Sequence, residues 1–147
     1  MFAMRMKLAP QIIKKRESFK PIYIHGKRQG LTFALQLAYY RGHYLSDIDS
    51  LEVLIDGKKI PDEAVTFELN GKEMPLYKLK YAVTEFWRQD DLAQLHLLLP
   101  NGLSGQHEIG LKLMLRIPYM QIGPGHTFMP LDSGETITIT LEGEKNE

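Results

Sequence analysis

From His107 to Ile117 the apolar side chains Ile109, Leu111, Leu113, Leu115 and Ile117 occupy one parity. Glu108, Gly110, Lys112 and Arg116 occupy the other, with Met114 the exception. A period of two sends successive side chains to opposite faces of an extended chain, so this stretch predicts a strand buried on one face. Leu31, Phe33, Leu35, Leu37 and Tyr39 alternate in the same way, opened by Gly30 and closed by Arg41-Gly42. Leu51, Val53 and Ile55 run into Asp56-Gly57, and Val65, Phe67 and Leu69 run into Asn70-Gly71. Both dipeptides suit a tight hairpin turn, because Asn, Asp and Gly tolerate the positive φ it requires. Leu95 to Leu99 reads as a buried strand stopped by Pro100-Asn101-Gly102, and Ile137, Ile139 and Leu141 alternate with Thr136, Thr138 and Thr140. The leucine-rich composition leans helical by propensity, but periodicity is the stronger signal. Helix is predicted only as a short turn around Leu76 to Lys80.

Many short strands separated by Gly, Pro and Asn predict an all-β fold, a two-layer antiparallel β-sandwich with a jelly roll as a candidate topology. The expected organisation is one domain over residues 1–147, with residues 1–20 an irregular or edge segment and 142–147 a frayed tail.

Composition narrows the chemistry. Lys+Arg and Asp+Glu are 18 each, so the net charge is zero, which disfavours a nucleic-acid binder held by phosphate contacts. The absence of cysteine removes disulfides, thiolate zinc sites, iron–sulfur clusters and a cysteine nucleophile, and is compatible with a reducing cytoplasm. No apolar run reaches the roughly 18 residues of a membrane span. The expectation is therefore a cytoplasmic protein that binds neither nucleic acid nor membrane.

His25, His43, His96, His107 and His126 show neither His-x-His nor His-x-x-x-His spacing, so no metal ligand set and no resident cofactor is expected in this chain. Asp47, Asp49 and Asp56 lack the Gly and distal Glu of a calcium loop and read as solvated turn carboxylates. Gly123-Pro124-Gly125-His126 reads as a plain turn, since proline denies it a backbone donor for a phosphate. No catalytic grouping is expected. What stands out is Tyr39-Tyr40-Arg41-Gly42-His43-Tyr44 and, at the end of the best strand, Arg116-Ile117-Pro118-Tyr119-Met120. Tyrosine and arginine at strand ends supply flat faces, hydroxyls and a planar cation, which suits a protein interface or a sugar-stacking surface. Tyr39, Tyr40, Arg41, His43, Tyr44, Arg116 and Tyr119 are the candidate partner interface. Trp87 with Phe86 reads as core.

The order of several short stretches resembles the small β subunit of bacterial C-glycoside deglycosidases. They are Tyr39-Tyr40-Arg41-Gly42, Leu45-Ser46, Val53 through Gly57 and Phe67-Glu68-Leu69-Asn70-Gly71-Lys72. Leu76-Tyr77-Lys78-Leu79, Trp87, Gly102-Leu103, Gly105-Gln106-His107-Glu108 and Arg116 through Met120 follow. Leu37-Ala38 replaces an expected Ile-Pro pair, and His43 stands where an aliphatic residue is more usual. The resemblance implies a heteromeric carbon–carbon lyase. In that family a larger TIM-barrel α subunit carries a divalent metal, manganese or magnesium, and a separate sugar 3-oxidoreductase supplies a 3-keto-C-glycoside. The α subunit removes the proton next to the ketone and the aglycone carbon leaves by elimination. This chain would be the non-catalytic β subunit that docks on the barrel. The rival reading is a free-standing carbohydrate-binding sandwich in which Tyr39, Tyr40, Tyr119 or Trp87 stacks on sugar rings. An independent enzyme is the weakest reading.

Overall fold

The computed structural model describes residues 19–37, 42–88, 90–99, 103, 105–121 and 128–141. Its strands in chain order are β1 (Lys20–Ile24), β2 (Lys27–Gln36), β3 (His43–Tyr44), β4 (Ile48–Ile55), β5 (Lys58–Lys59) and β6 (Val65–Leu69). They continue with β7 (Lys72–Pro75), β8 (Phe86–Trp87), β9 (Leu92–Leu98), β10 (Gly105–Gln121), β11 (Phe128–Asp132) and β12 (Glu135–Leu141). Helix among the described residues is confined to the 3-10 turns Leu45–Asp47, Asp62–Ala64 and Leu76–Tyr81. No helix among them is long and apolar enough to cross a membrane.

One sheet has the order β1-β2-β9-β6-β7. The second has the order β11-β10-β4-β5, with β12 also on β10, and β3 pairs separately with β8. All these pairings are antiparallel. The inward residues of both sheets meet in one apolar cluster. Phe33, Leu35, Phe67, Leu95 and Leu97 come from the first, and Val53, Ile109, Leu113, Leu115 and Ile139 from the second. The fold is therefore the all-β sandwich that the alternating runs predict. Each such side chain contributes roughly 1.5–3 kcal/mol by leaving water, and this burial holds the two layers face to face.

The turns follow the chemistry of their residues. Asp56-Gly57 has φ 53° and 82°, and Asn70-Gly71 has φ 53° and 81°. A third turn of the same kind, His25-Gly26 with φ 52° and 78°, joins β1 to β2. Histidine in its first position hides it from a search for Asn-Gly or Asp-Gly.

Strand limits differ from the sequence reading in two instructive ways. Gly30 does not open β2 but lies inside it, opposite Ile22 and Leu98. A Cβ there would stand 2.1 Å from the Leu97 carbonyl oxygen, so only glycine permits the approach of β2 to β9. The register of β1 on β2 slips beside it, leaving Gln29 as an extra residue, and the Gln29 carbonyl accepts the Leu99 N–H at 2.8 Å. The long strand β10 runs 17 residues and serves two partners on one edge, β12 along Gly105–Leu111 and β11 along Met114–Gln121.

Candidate functional site

The segments 43–46 and 82–87 lie side by side at one end of the sandwich. His43 pairs with Trp87 and Tyr44 with Phe86. The pairing continues as Leu45 N–H donates to the Glu85 carbonyl at 2.9 Å and Ser46 N–H to the Ala82 carbonyl at 3.2 Å. Strand alternation then sorts the side chains. His43 and Trp87 point inward and are buried, while Tyr44 and Phe86 point outward and are 45% and 41% exposed. The outward rings meet edge to face with centroids 4.9 Å apart. Tyr81 and Val83, which flank Ala82, are also exposed, so this edge carries an apolar strip.

Trp87 anchors the strip from below. Its ring packs edge to face on Phe67 at 5.6 Å, and its Nε1–H donates to the Asp91 carbonyl at 3.0 Å. It is fully buried, which removes it from the residues that could stack on a sugar. Phe86 departs from the expectation of a core residue because it occupies the outward parity of the same two-residue strand. Gly42 leads into this segment. A Cβ on it would fall 2.6 Å from the Trp87 carbonyl oxygen and 2.6 Å from the Phe86 ring.

A charged group borders the aromatic pair. The register of β4 on β10 pairs Met114 with Ser50 and Leu115 with Ile48, so Asp49 is the extra residue of a bulge. The bulge brings its carboxylate to Arg116 on β10, where Nη1 donates to Oδ1 at 3.3 Å. The other arm of the guanidinium, Nη2, donates to the Ser46 carbonyl at 2.8 Å and lies 3.5 Å from Asp47 Oδ1. Asp47 is buried, which corrects its reading as a solvated turn carboxylate; Asp49 and Asp56 are exposed. His43 Nδ1 stands 3.8 Å from Asp47 Oδ2, too far for a hydrogen bond. Burial lowers the His43 pKa below its ordinary value, against the upward pull of Asp47. Partial desolvation at the bulge raises that of Asp49, with Arg116 opposing and Asp47 reinforcing the shift.

The structure thus brings His43, Tyr44 and Arg116 together, as the sequence reading grouped them, but in different roles. Tyr44 is on the surface, His43 is beneath it, and Arg116 reaches from β10 to the turn Leu45–Asp47 while its side chain stays 36% exposed. Tyr39, Tyr40 and Arg41 lie outside the described residues, as does the loop Gly123-Pro124-Gly125-His126; Tyr119 is on β10, with its side chain outside the description. The exposed Phe86, Tyr81 and Val83 were not legible as surface residues, and only the parity of Phe86 against Trp87 carried a hint. Beside the rim, a groove of about 680 Å³ runs between β4 and the turn Leu76–Tyr81, bordered by Asp49, Glu52, Lys59 and Tyr77.

The model of the C-glycoside deglycosidase beta subunit family matches residues 9–119. The chain belongs to this family. A C-glycoside deglycosidase beta subunit of Microbacterium trichothecenolyticum is 33% identical over 105 residues, covering 71% of this chain and 79% of that protein. One from Eubacterium cellulosolvens is 30% identical over 97 residues, covering 65% of this chain and 66% of the relative. A 3'-dehydrocarminate deglycosidase beta subunit of a Microbacterium species is 30% identical over 110 residues, covering 73% and 78%. The family match includes the whole Tyr44–Phe86–Arg116 rim and ends within β10.

Proposed function

We propose that this chain is the non-catalytic β subunit of a C-glycoside deglycosidase and that it docks on a larger catalytic subunit through the rim at Tyr44, Phe86 and Arg116. The observation that carries the reading is membership of the β-subunit family over residues 9–119, which spans this rim. Exposed aromatic rings beside a partly exposed arginine are the residue types that anchor protein interfaces. Tyr39, Tyr40, Arg41 and Tyr119 extend the docking surface in this proposal, and His43 supports it from beneath.

The reaction we assign to the complex is elimination from a 3-keto-C-glycoside. A ketone at C3 acidifies the proton on C2. Its removal by a base lets the bond from C1 to the aglycone carbon break, with the electron pair leaving on the aglycone, which then takes up a proton. The 3'-dehydro substrate in the name of one relative supports this substrate class. A sugar 3-oxidoreductase would act first to make the ketone. Within this proposal the partner is a TIM-barrel α subunit, whose divalent metal would stabilise the charge that develops on the ketone oxygen. The rim of this chain offers rings and a guanidinium bonded to the Ser46 carbonyl, which suit docking better than proton transfer. A cytoplasmic location completes the proposal and agrees with the absence of cysteine.

The test is reconstitution with a large subunit of a C-glycoside deglycosidase. Turnover of a 3-keto-C-glycoside is expected from the mixture and not from this chain alone. Turnover by this chain alone would refute the non-catalytic role.

A further inference from the structure

Away from the rim, the outward face of the first sheet brings together three side chains that are remote in sequence. Glu68 on β6 is directly opposite Glu73 on β7. On the other side of β6, strand β9 pairs His96 with Thr66 and Gln94 with Glu68, so His96 lies diagonally across from Glu68. His96 Nε2 is 2.8 Å from Glu68 Oε1 and 3.3 Å from Glu73 Oε1, and one donor atom from each of the three residues fits within a mutual spacing of 4.8 Å.

Two carboxylates directly opposed on neighbouring strands repel each other, so this arrangement calls for positive charge between them. A tetrahedral ion with ligand bonds of about 2.0–2.1 Å holds its donors roughly 3.3–3.4 Å apart. The 3.3 Å between His96 and Glu73 matches that spacing, whereas the 2.8 Å hydrogen-bond contact between His96 and Glu68 is shorter and opens by a small rotation of the glutamate to admit an ion. One imidazole with two carboxylates and no thiolate is a donor set for a borderline divalent ion such as zinc or manganese.

A second feature points the same way. Thr32 on β2 is directly opposite His96, and its Oγ1 is shielded from solvent with no hydrogen-bond partner among the described residues. An imidazole bound to a metal through Nε2 carries its proton on Nδ1 and donates it to a neighbouring acceptor. The unpaired Thr32 hydroxyl, on the residue directly opposite, is a candidate for that acceptor.

We propose that Glu68, Glu73 and His96 form a divalent transition-metal site on this chain, with at least one coordination position left for water or a donor from outside. The absence of His-x-His spacing does not oppose it, because strand pairing rather than sequence proximity assembles the set. The site would clamp the edge strand β7 to β9 across β6. It stands independently of the docking reading, since it uses other residues and another sheet.

Zinc titrated calorimetrically into the intact, chelator-treated chain tests the assignment. One ion per chain is expected, with a rise of the thermal midpoint at saturation and slower amide exchange in β7. Glu73→Gln alters a side chain that is 59% exposed on a short edge strand, so folding should persist and can be checked by circular dichroism. This variant and His96→Gln should each weaken zinc binding by at least the roughly ten- to hundred-fold that outer-shell changes cost. His25→Gln, on the first turn of the same sheet, should bind as the unaltered chain does. Failure of the unaltered chain to bind zinc stoichiometrically would overturn the proposal, and so would undiminished binding by both Glu73→Gln and His96→Gln.

Discussion

Arg116 donates through Nη2 to the carbonyl oxygen of Ser46 at 2.8 Å, which ties the longest strand to the 3-10 turn Leu45–Asp47. The link joins residues 70 positions apart and fixes the turn from which Tyr44 emerges. Its other contacts, 3.3 Å to Asp49 and 3.5 Å to Asp47, are long, so the carbonyl bond is the one that sets the geometry.

Arg116→Lys should therefore separate stability from assembly. Lysine keeps the charge but loses the planar fork that reaches the carbonyl and both carboxylates together. With the side chain partly exposed, solvent screening limits the stability loss to about 1 kcal/mol or less. Affinity for the large subunit should fall by a larger factor. Urea denaturation and a binding titration on the same preparation measure the two effects.

Trp87→Ala should be far more damaging. The ring is fully buried against Phe67, and its removal leaves a cavity at the base of the rim. The expected loss is roughly 3–5 kcal/mol. Trp87→Phe should retain most of the packing and lose chiefly the hydrogen bond to the Asp91 carbonyl, which is worth about 1 kcal/mol. Chemical denaturation of the two variants should rank them in that order.

Gly30 and Gly57 offer a matched test of steric approach against backbone conformation. Alanine at position 30 places Cβ 2.1 Å from a backbone oxygen, so β2 and β9 must separate. Alanine at position 57 meets nothing within 4 Å and bears only the cost of φ +82°, which is about 1–2 kcal/mol. Gly57→Ala should fold with a modest loss, whereas Gly30→Ala should lose considerably more or fail to accumulate as folded protein. Soluble yield and thermal midpoint read the contrast.

Acidification should expose the burial of His43. Its folded-state pKa lies below the ordinary 6.5, so between the two values the unfolded chain binds more protons than the folded one. Stability therefore falls as pH drops below about 6.5 and stops falling from this source once the folded pKa is passed. His43→Leu removes the titrating group, so the stability difference between the unaltered chain and the variant should shift in the variant's favour as pH falls from 7 toward 5. Denaturation midpoints at several pH values measure the difference, and parallel curves would contradict this account.

The fold was legible wherever one sheet face is buried and the other wet. Val65–Leu69 is a strand over the residues its alternation marks, and the β10 pattern from His107 to Ile117 sits within a longer strand. The 3-10 turn at Leu76 was visible as a short helical run, while those at Leu45 and Asp62 were not, since three residues give no period. Strands β3 and β8 escaped for the same reason: two residues cannot alternate detectably. That also hid the exposure of Phe86, which depends on pairing with Tyr44 some 40 positions away. Tyr44 and Arg116 could be singled out by residue type, but the bulge at Asp49 and the burial of Asp47 follow from register alone. The Glu68, Glu73 and His96 group needs three strands in place before it exists.

The central claim is that this chain acts by docking through the Tyr44–Phe86 rim. Its most direct test is the dissociation constant for the large subunit, measured with Tyr44→Ser/Phe86→Ser beside the unaltered chain, with turnover of a 3-keto-C-glycoside followed at rising subunit concentration. Both side chains are outward, so the double variant should fold. Weakened association with turnover restored at high concentration is the predicted result. Unchanged association, or an intact complex that does not turn over, would contradict it.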